Sequence, residues 1–355
     1  MAAARPAEAK RGQSLELGLG VSSLYDDNLL QYSDEQLRLF QSGLKPDRFS
    51  ISSSDDLLMG PYGSLTWLNK MGGRRSRGLR LKWIGEFHKK NGTADSRSYS
   101  ATWNEAFSRD RRLTLYGYWL PGFYLRQLSD EDAILAYPGL SRYRRADFNL
   151  GIGSVAWRQG IGAKIRGNIG YQYEHRSYNP HFVERTSRTH QAELGLEIVR
   201  LPRHGKAECY GGYRSSDAKA ADSDSTGDDA DVSYHGVIAG LGWRMDLACI
   251  GTSKIGISLR LDLATRAYDS KFPTDKYHYK RDDTLSAADA SVRWALPPHW
   301  AVRGIYRFEH NSARLGSLAP PSSEAGTYTE SQLGLAVDWS GALWRQSKAP
   351  SSEEE

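Results

Sequence analysis

Charged side chains recur at every second position along several stretches of this chain. Arg80 and Lys82, Lys164 and Arg166, Glu193 and Glu197, Arg260 and Asp262, and Arg303, Arg307 and Glu309 keep this spacing, with Glu86, Arg266 and Arg293 on the same alternation. In extended backbone such residues share one face. Facing rows of opposite charge would set a transverse field that sorts polar solutes. The plainer reading is that they pair and hold a wall together. A second constellation is acidic: Asp26 and Asp27 beside Asn28, then Asp55 and Asp56. Hard oxygen donors of this kind suit a structural Ca²⁺, and they equally suit solvated turns and helix caps. Asp222, Asp224, Gly227, Asp228 and Asp229 resemble the start of an EF-hand, but the twelfth position is Ser233 where a bidentate Glu belongs, so a solvated loop is expected.

Catalytic patterns are scarce. The chain carries no Gly-x-Ser-x-Gly elbow, His-Glu-x-x-His, P-loop or dinucleotide fingerprint, and its 9 His are scattered. No enzyme and no organic cofactor are expected. A Ser–His site assembled across strands from Ser22, Ser154, His175 and His310 stays open, because distance along a chain does not fix adjacency.

The elements that must position these residues are strands. From Ile255 to Leu263 every second residue is aliphatic, with Gly256, Ser258, Arg260 and Asp262 between. The run is about twice the usual strand of five or six residues. The same alternation appears at Leu15–Val21, Leu79–Trp83, Ala163–Tyr173, Ala192–Ile198, Val237–Trp243, Ala290–Trp294 and Leu333–Trp339, and fourteen strands are predicted in all. Short connections fall near 70–77, 109–112, 158–161, 202–206, 250–254 and 297–299. Long polar ones lie at 28–56, 127–144, 179–189, 217–231, 269–283 and 313–327, with only 91–95 short among them. Within the first long loop, Ser33–Gln41 reads as a short helix with a Ser33/Gln36 capping box and a Gly43 stop. That loop can fold inward as a constriction.

Composition agrees. Mean hydropathy is −0.60, and no run of eighteen apolar residues exists, so no helix spans a membrane. A barrel needs only alternate apolar residues, and 35 Gly, 20 Tyr and 10 Trp suit turns and aromatic girdles. The net charge of +5 is dispersed rather than gathered on one helix, which argues against nucleic acid. Two cysteines, Cys209 and Cys249, exclude a disulfide scaffold. They fall near the turn ends of consecutive strands about a hairpin midpoint near residue 229, making them candidate cross-strand neighbours, bonded or free. Met1-Ala-Ala-Ala-Arg lacks an apolar core, so no signal peptide is expected and a barrel reading requires a chain already in its mature form.

These features define an all-β fold: a closed antiparallel up-and-down transmembrane β-barrel over residues 14–340, between a disordered segment 1–13 and a disordered periplasmic tail 341–355. The chain resembles the bacterial outer-membrane β-barrel proteins at the level of that class. Gln332, Gly334, Val337 and Trp339 are similar to the terminal-strand signal read by the barrel insertion machinery, although any final barrel strand approaches that pattern by composition. The resemblance implies a bacterial outer membrane, with its lipid and lipopolysaccharide and the insertion machinery as partners. It also implies a porin-like channel for small hydrophilic solutes whose lumen the alternating charges line. The alternative is a non-channel barrel acting as structural anchor, docking partner or export module for a periplasmic or outer-membrane protein.

Overall fold

The computed structural model describes residues 11–44, 46–72, 74–130, 143–222, 231–271, 275, 278–315 and 326–347. Fourteen strands run in chain order: β1 Gly12–Asp26, β2 Asp56–Gly72, β3 Arg75–His88, β4 Ser96–Ala106, β5 Arg111–Ser129, β6 Tyr143–Gly160 and β7 Ile165–Tyr178. They continue as β8 Ser187–Leu201, β9 Gly205–Ala218, β10 Tyr234–Ile250, β11 Ser253–Tyr268, β12 Asp282–Leu296, β13 Trp300–Arg314 and β14 Tyr328–Ser347. Each strand pairs antiparallel with its chain neighbours, and β1 pairs with β14, so the sheet closes on itself. Closure satisfies every wall strand on both edges, which is what a backbone needs where no water is available.

The register fixes which residues face in. On β11, Ile257, Leu259, Leu261 and Leu263 share one face, and Arg260 and Asp262 the other; opposite them stand Asp289 and Ala287 of β12. The aliphatic face is the outer one. Leu194, Leu241, Leu261, Val237, Leu333 and Leu335 are exposed on the outer surface. Around the turn end lie Trp67, Trp103, Trp157, Trp243, Trp294 and Trp300, with Trp67 and Trp103 rings 6.2 Å apart. Tyr25, Tyr99, Trp119, Tyr171 and Tyr213 stand outward nearer the long loops. An apolar exterior bounded by aromatics, around polar inner positions, is the inside-out surface of a barrel immersed in hydrocarbon.

Three boundaries depart from the sequence reading. The alternation through Ala163 and Lys164 does not continue the wall: β7 starts at Ile165, and Lys164 is exposed in the turn before it, its carbonyl accepting from the Val199 amide at 2.8 Å. The barrel does not end at residue 340, because β14 runs on to Ser347 opposite Gly12–Leu15, past a bulge at Leu15/Glu16. Cys209 and Cys249 are not neighbours. Cys209 faces Leu241 across β9–β10, while Cys249 lies beyond the end of β9 and pairs with Lys254. Both thiols are free and exposed. Most of the 222–229 acidic stretch lies outside the described residues.

The first long loop carries α1, Asp34–Gln41, whose start follows from its own sequence. The Ser33 hydroxyl accepts from the Gln36 amide, and the Gln36 side chain accepts from the Ser33 amide at 3.0 Å. Gly43 leaves the helix at a φ of +68°, a conformation that costs a glycine nothing. Leu30, Tyr32 and Ile51 of this loop form a buried cluster with Ala94 and with Tyr124 of β5, and Leu29, Leu37, Phe40 and Phe49 pack against it.

Candidate functional site

Neighbouring residues of the first loop touch walls that stand almost opposite each other. The Leu30 carbonyl accepts from Arg126 Nη2 of β5 at 2.8 Å. The Gln31 side-chain amide donates to Glu309 of β13 at 3.0 Å and to Glu330 of β14 at 2.9 Å. In the strand order β5 and β13 lie nearly half a circumference apart. The loop therefore lies across the mouth instead of standing above it. Asn28 anchors its start: buried, it donates to the Tyr32 and Thr329 carbonyls at 2.8 and 2.9 Å and accepts from the Tyr32 amide at 2.9 Å. Burial pushes the Tyr32 hydroxyl pKa above its ordinary range.

Two bulges in β5, at Leu120/Phe123 and Tyr124/Arg126, aim both Tyr124 and Arg126 at this loop. Each extra residue shifts the in–out alternation by one, so the second bulge restores at Arg126 the face that the first displaced. Gly122, at φ +58°, takes the first bulge, its amide donating to Asn149 Oδ1 at 2.9 Å. Tyr124 is 1% exposed and its hydroxyl meets Ser50.

The four acidic residues at the loop's ends are spent locally. Asp26 accepts from the Asn28 amide and from Gln332, and Asp27 from the Ser331 amide. Asp56, fully buried, accepts from the Leu57, Lys90 and Asn91 amides. Asp55 pairs with Lys90 Nζ at 2.8 Å. The Lys90 ammonium and the Ser53 hydroxyl hold the Asp55 carboxyl down at about 2. Among the described residues no three His, Cys, Asp or Glu side chains gather as a cation-holding group.

Of the alternating charges, the structure brings most together in pairs along the inner wall. Arg260 donates to Asp262 at 2.7 Å and to the Tyr210 hydroxyl, which itself donates to Asp262. Arg303 meets Asp338 at 3.5 Å, where Tyr62 also donates. Arg307 meets Asp289 at 3.3 Å. Nearest the turns, Glu197 collects Arg166 at 3.2 Å, Arg158 at 3.5 Å and Lys206 at 3.6 Å. Lys82 stands over the Tyr62 ring, Arg80 donates to Ser64, Glu86 accepts from Ser96, Glu193 from Gln191, and Glu309 from Tyr328. Arg293 stands opposite Arg303 in register and is exposed near the turn end. Between these pairs the inner wall leaves cavities of 360 and 570 Å³, the first reaching Arg260, Arg303 and Arg307 and the second Glu193, Arg214 and Asp262.

A further cavity of 280 Å³ sits at the long-loop end, beside the crossing loop. Arg126, Arg176, Arg185, Arg266 and Arg281 border it, interleaved with Tyr178, Tyr234, Tyr268 and Tyr328. Of these arginines the sequence reading reaches only Arg266, as an inward residue of β11. The others follow a bulge, end a strand or sit in loops. In the same loops His278 lies 2.9 Å from Asp275, and its burial pushes its pKa below the ordinary value.

On the terminal strand, Gln332 and Gly334 share the inner face with Asp338, while Val337 is exposed on the outer one and Trp339 pairs with Leu19 and Trp300.

Solved structures of similar shape include a bacterial polysaccharide outer membrane secretin (9% identity, 93% of this chain and 99% of that one, TM-score 0.44). They also include an anion-selective porin from Comamonas acidovorans (10% identity, 94% and 100%, TM-score 0.42) and OprD of Pseudomonas aeruginosa (10% identity, 94% and 96%, TM-score 0.39). No family model and no curated protein matches the chain.

Proposed function

We infer that this barrel is a porin-like channel of a bacterial outer membrane, passing small hydrophilic solutes along a lumen of mixed charge. The observation that carries the reading is the sidedness of one closed wall. Leu259, Leu261 and Leu263 are exposed outside, while Arg260 and Asp262 between them face inner cavities. Charged pairs that bridge neighbouring strands but leave space between them suit a hydrated path. Lipid, lipopolysaccharide and the insertion machinery are the partners this location supplies. The test is single-channel recording in a planar bilayer with the refolded full chain. Discrete conductance steps are expected, and a silent bilayer containing correctly folded barrel would refute the channel.

One observation favours the second reading, a barrel that anchors or docks a partner: the first loop packs a buried cluster across the mouth. A stable co-purifying protein together with the absence of conductance would select it.

A further inference from the structure

The arginine-lined cavity at the mouth is built unlike the rest of the lumen. Along the wall, the arginines at 158, 166, 260, 303 and 307 each meet a carboxylate. At the mouth, Arg176 meets Glu174 at 2.7 Å, Arg281 meets Asp283 at 2.7 Å and Arg185 meets Glu184 at 3.9 Å. Arg126 and Arg266 make no ion pair within 4 Å among the described residues; Asp283, opposite Arg266 in register, is taken by Arg281. Ring faces and single hydrogen bonds hold Arg126 and Arg266: the first lies 5.3 Å over Tyr32 with Nη2 donating to the Leu30 carbonyl, and the second lies 5.5 Å over Tyr234 and is hydrogen-bonded to Tyr268. A guanidinium stacked by its flat face and bonded through one N–H keeps the rest of its five-donor edge available. Arg266 Nε and Arg185 Nε are in fact buried with no hydrogen-bond partner. Five guanidinium groups share three paired carboxylates here, and the surplus positive charge costs free energy that an incoming oxyanion would recover through charge-assisted hydrogen bonds.

We propose that this cavity binds the oxyanion group of a small organic anion, a carboxylate or a phosphate, with Arg126 and Arg266 as the principal donors. The rings of Tyr178, Tyr268 and Tyr328 border the same space and supply apolar faces for the body of the solute. At 280 Å³ the space suits a solute of about monosaccharide size. This deepens the channel reading and rests on it for its physiological meaning, but binding can be measured apart from conduction.

The experiment uses the full chain refolded in detergent, with glucuronate, glucose 6-phosphate and glucose as probes in titration calorimetry. Both anions are expected to bind and glucose not to; the tighter anion identifies which oxyanion the site prefers. Arg266→Gln should weaken the anions about tenfold, as expected for losing one charge-assisted bond. Arg266→Lys should restore part of that loss. Arg38→Gln, which removes an exposed charge from α1 on the same loop, should change nothing. Arg126→Gln provides a second variant, accepted only if it keeps the compact heat-sensitive gel mobility of a folded barrel. Anion binding no better than glucose, or unaltered affinity in Arg266→Gln, overturns the proposal. In bilayers, a conducting pore with no anion preference sinks this site and leaves the channel standing. Intact binding in a silent barrel sinks the channel and leaves the site.

Discussion

Leu261 and Ala287 test the inside-out assignment with one kind of change at two places. Leu261 lies near the centre of the 16-residue β11, 44% exposed on the outer face. At about 3.3 Å per residue and a tilt of about 40°, half of that strand rises about 20 Å along the barrel axis, which puts Leu261 within a few Å of the middle of an apolar band about 25 Å tall. An arginine there must face hydrocarbon, at a cost of about 2–4 kcal/mol. Ala287 stands at the same level on the inner face, opposite Asp262. An arginine in its place meets water and a carboxylate, and should cost below about 1 kcal/mol. Guanidinium titration of barrels refolded into short-chain phosphatidylcholine vesicles, followed by tryptophan fluorescence and extrapolated linearly, reads both changes. The expected gap of about 1–4 kcal/mol corresponds to about 5- to 900-fold in the folding equilibrium. Equal costs for Leu261→Arg and Ala287→Arg would refute the sidedness on which the channel reading depends.

Other predictions concern the lumen and the loop. Arg260→Glu replaces a cation and leaves Asp262 facing a second carboxylate, so the reversal potential in a KCl gradient should move towards cation preference; no movement removes Arg260 from the conducting path. Asn28→Ala deletes three hydrogen bonds at the base of the first loop. At about 1 kcal/mol each, the loop should open up to about 3 kcal/mol more readily, visible as faster amide exchange over residues 28–55 and as larger conductance. The Asp55–Lys90 contact gives a pH signature. Its carboxyl titrates at about 2 when folded, below its ordinary 3.8, so its stabilisation is complete above pH 4 and is lost as pH falls through about 2. Amide exchange at Ser52–Asp56, measured as a protection factor, should drop across that window in the native chain and stay flat in Asp55→Asn.

Much of the architecture is legible because membrane immersion enforces a strict period of two. An error of one residue at Leu259 or Leu261 would turn a lipid-facing side chain inward, so the alternation survives without interruption and the strand count and loop sorting follow from it. The helix of the first loop is equally legible, since Ser33 and Gln36 carry their own start signal. Legibility fails wherever the period breaks. Two one-residue bulges of β5 lie between Leu120 and Arg126 without any signal in the period, and only because their shifts cancel does Arg126 return to the inner face. Arg185 and Arg281 belong to connections without a periodic signal, and their approach to Arg266 depends on closure of the whole wall. Lys164 illustrates the reverse: it keeps the alternation by chance in a turn. Cys209 and Cys249 are neighbours only in a symmetric hairpin, and β10 outruns β9 at the turn end.

The join between β1 and β14 carries one more consequence. Its partners, from Gly12 with Ser347 to Asp26 with Gln332, are the most distant in the chain, so the last contacts wait for the last residues. A ribosome-bound or truncated chain cannot settle into a smaller cylinder; it remains an open ribbon with two bare margins, each a template for aggregation. Assembly is therefore committed late and all at once, and the chain must be kept apart from its own copies until the seam is sealed.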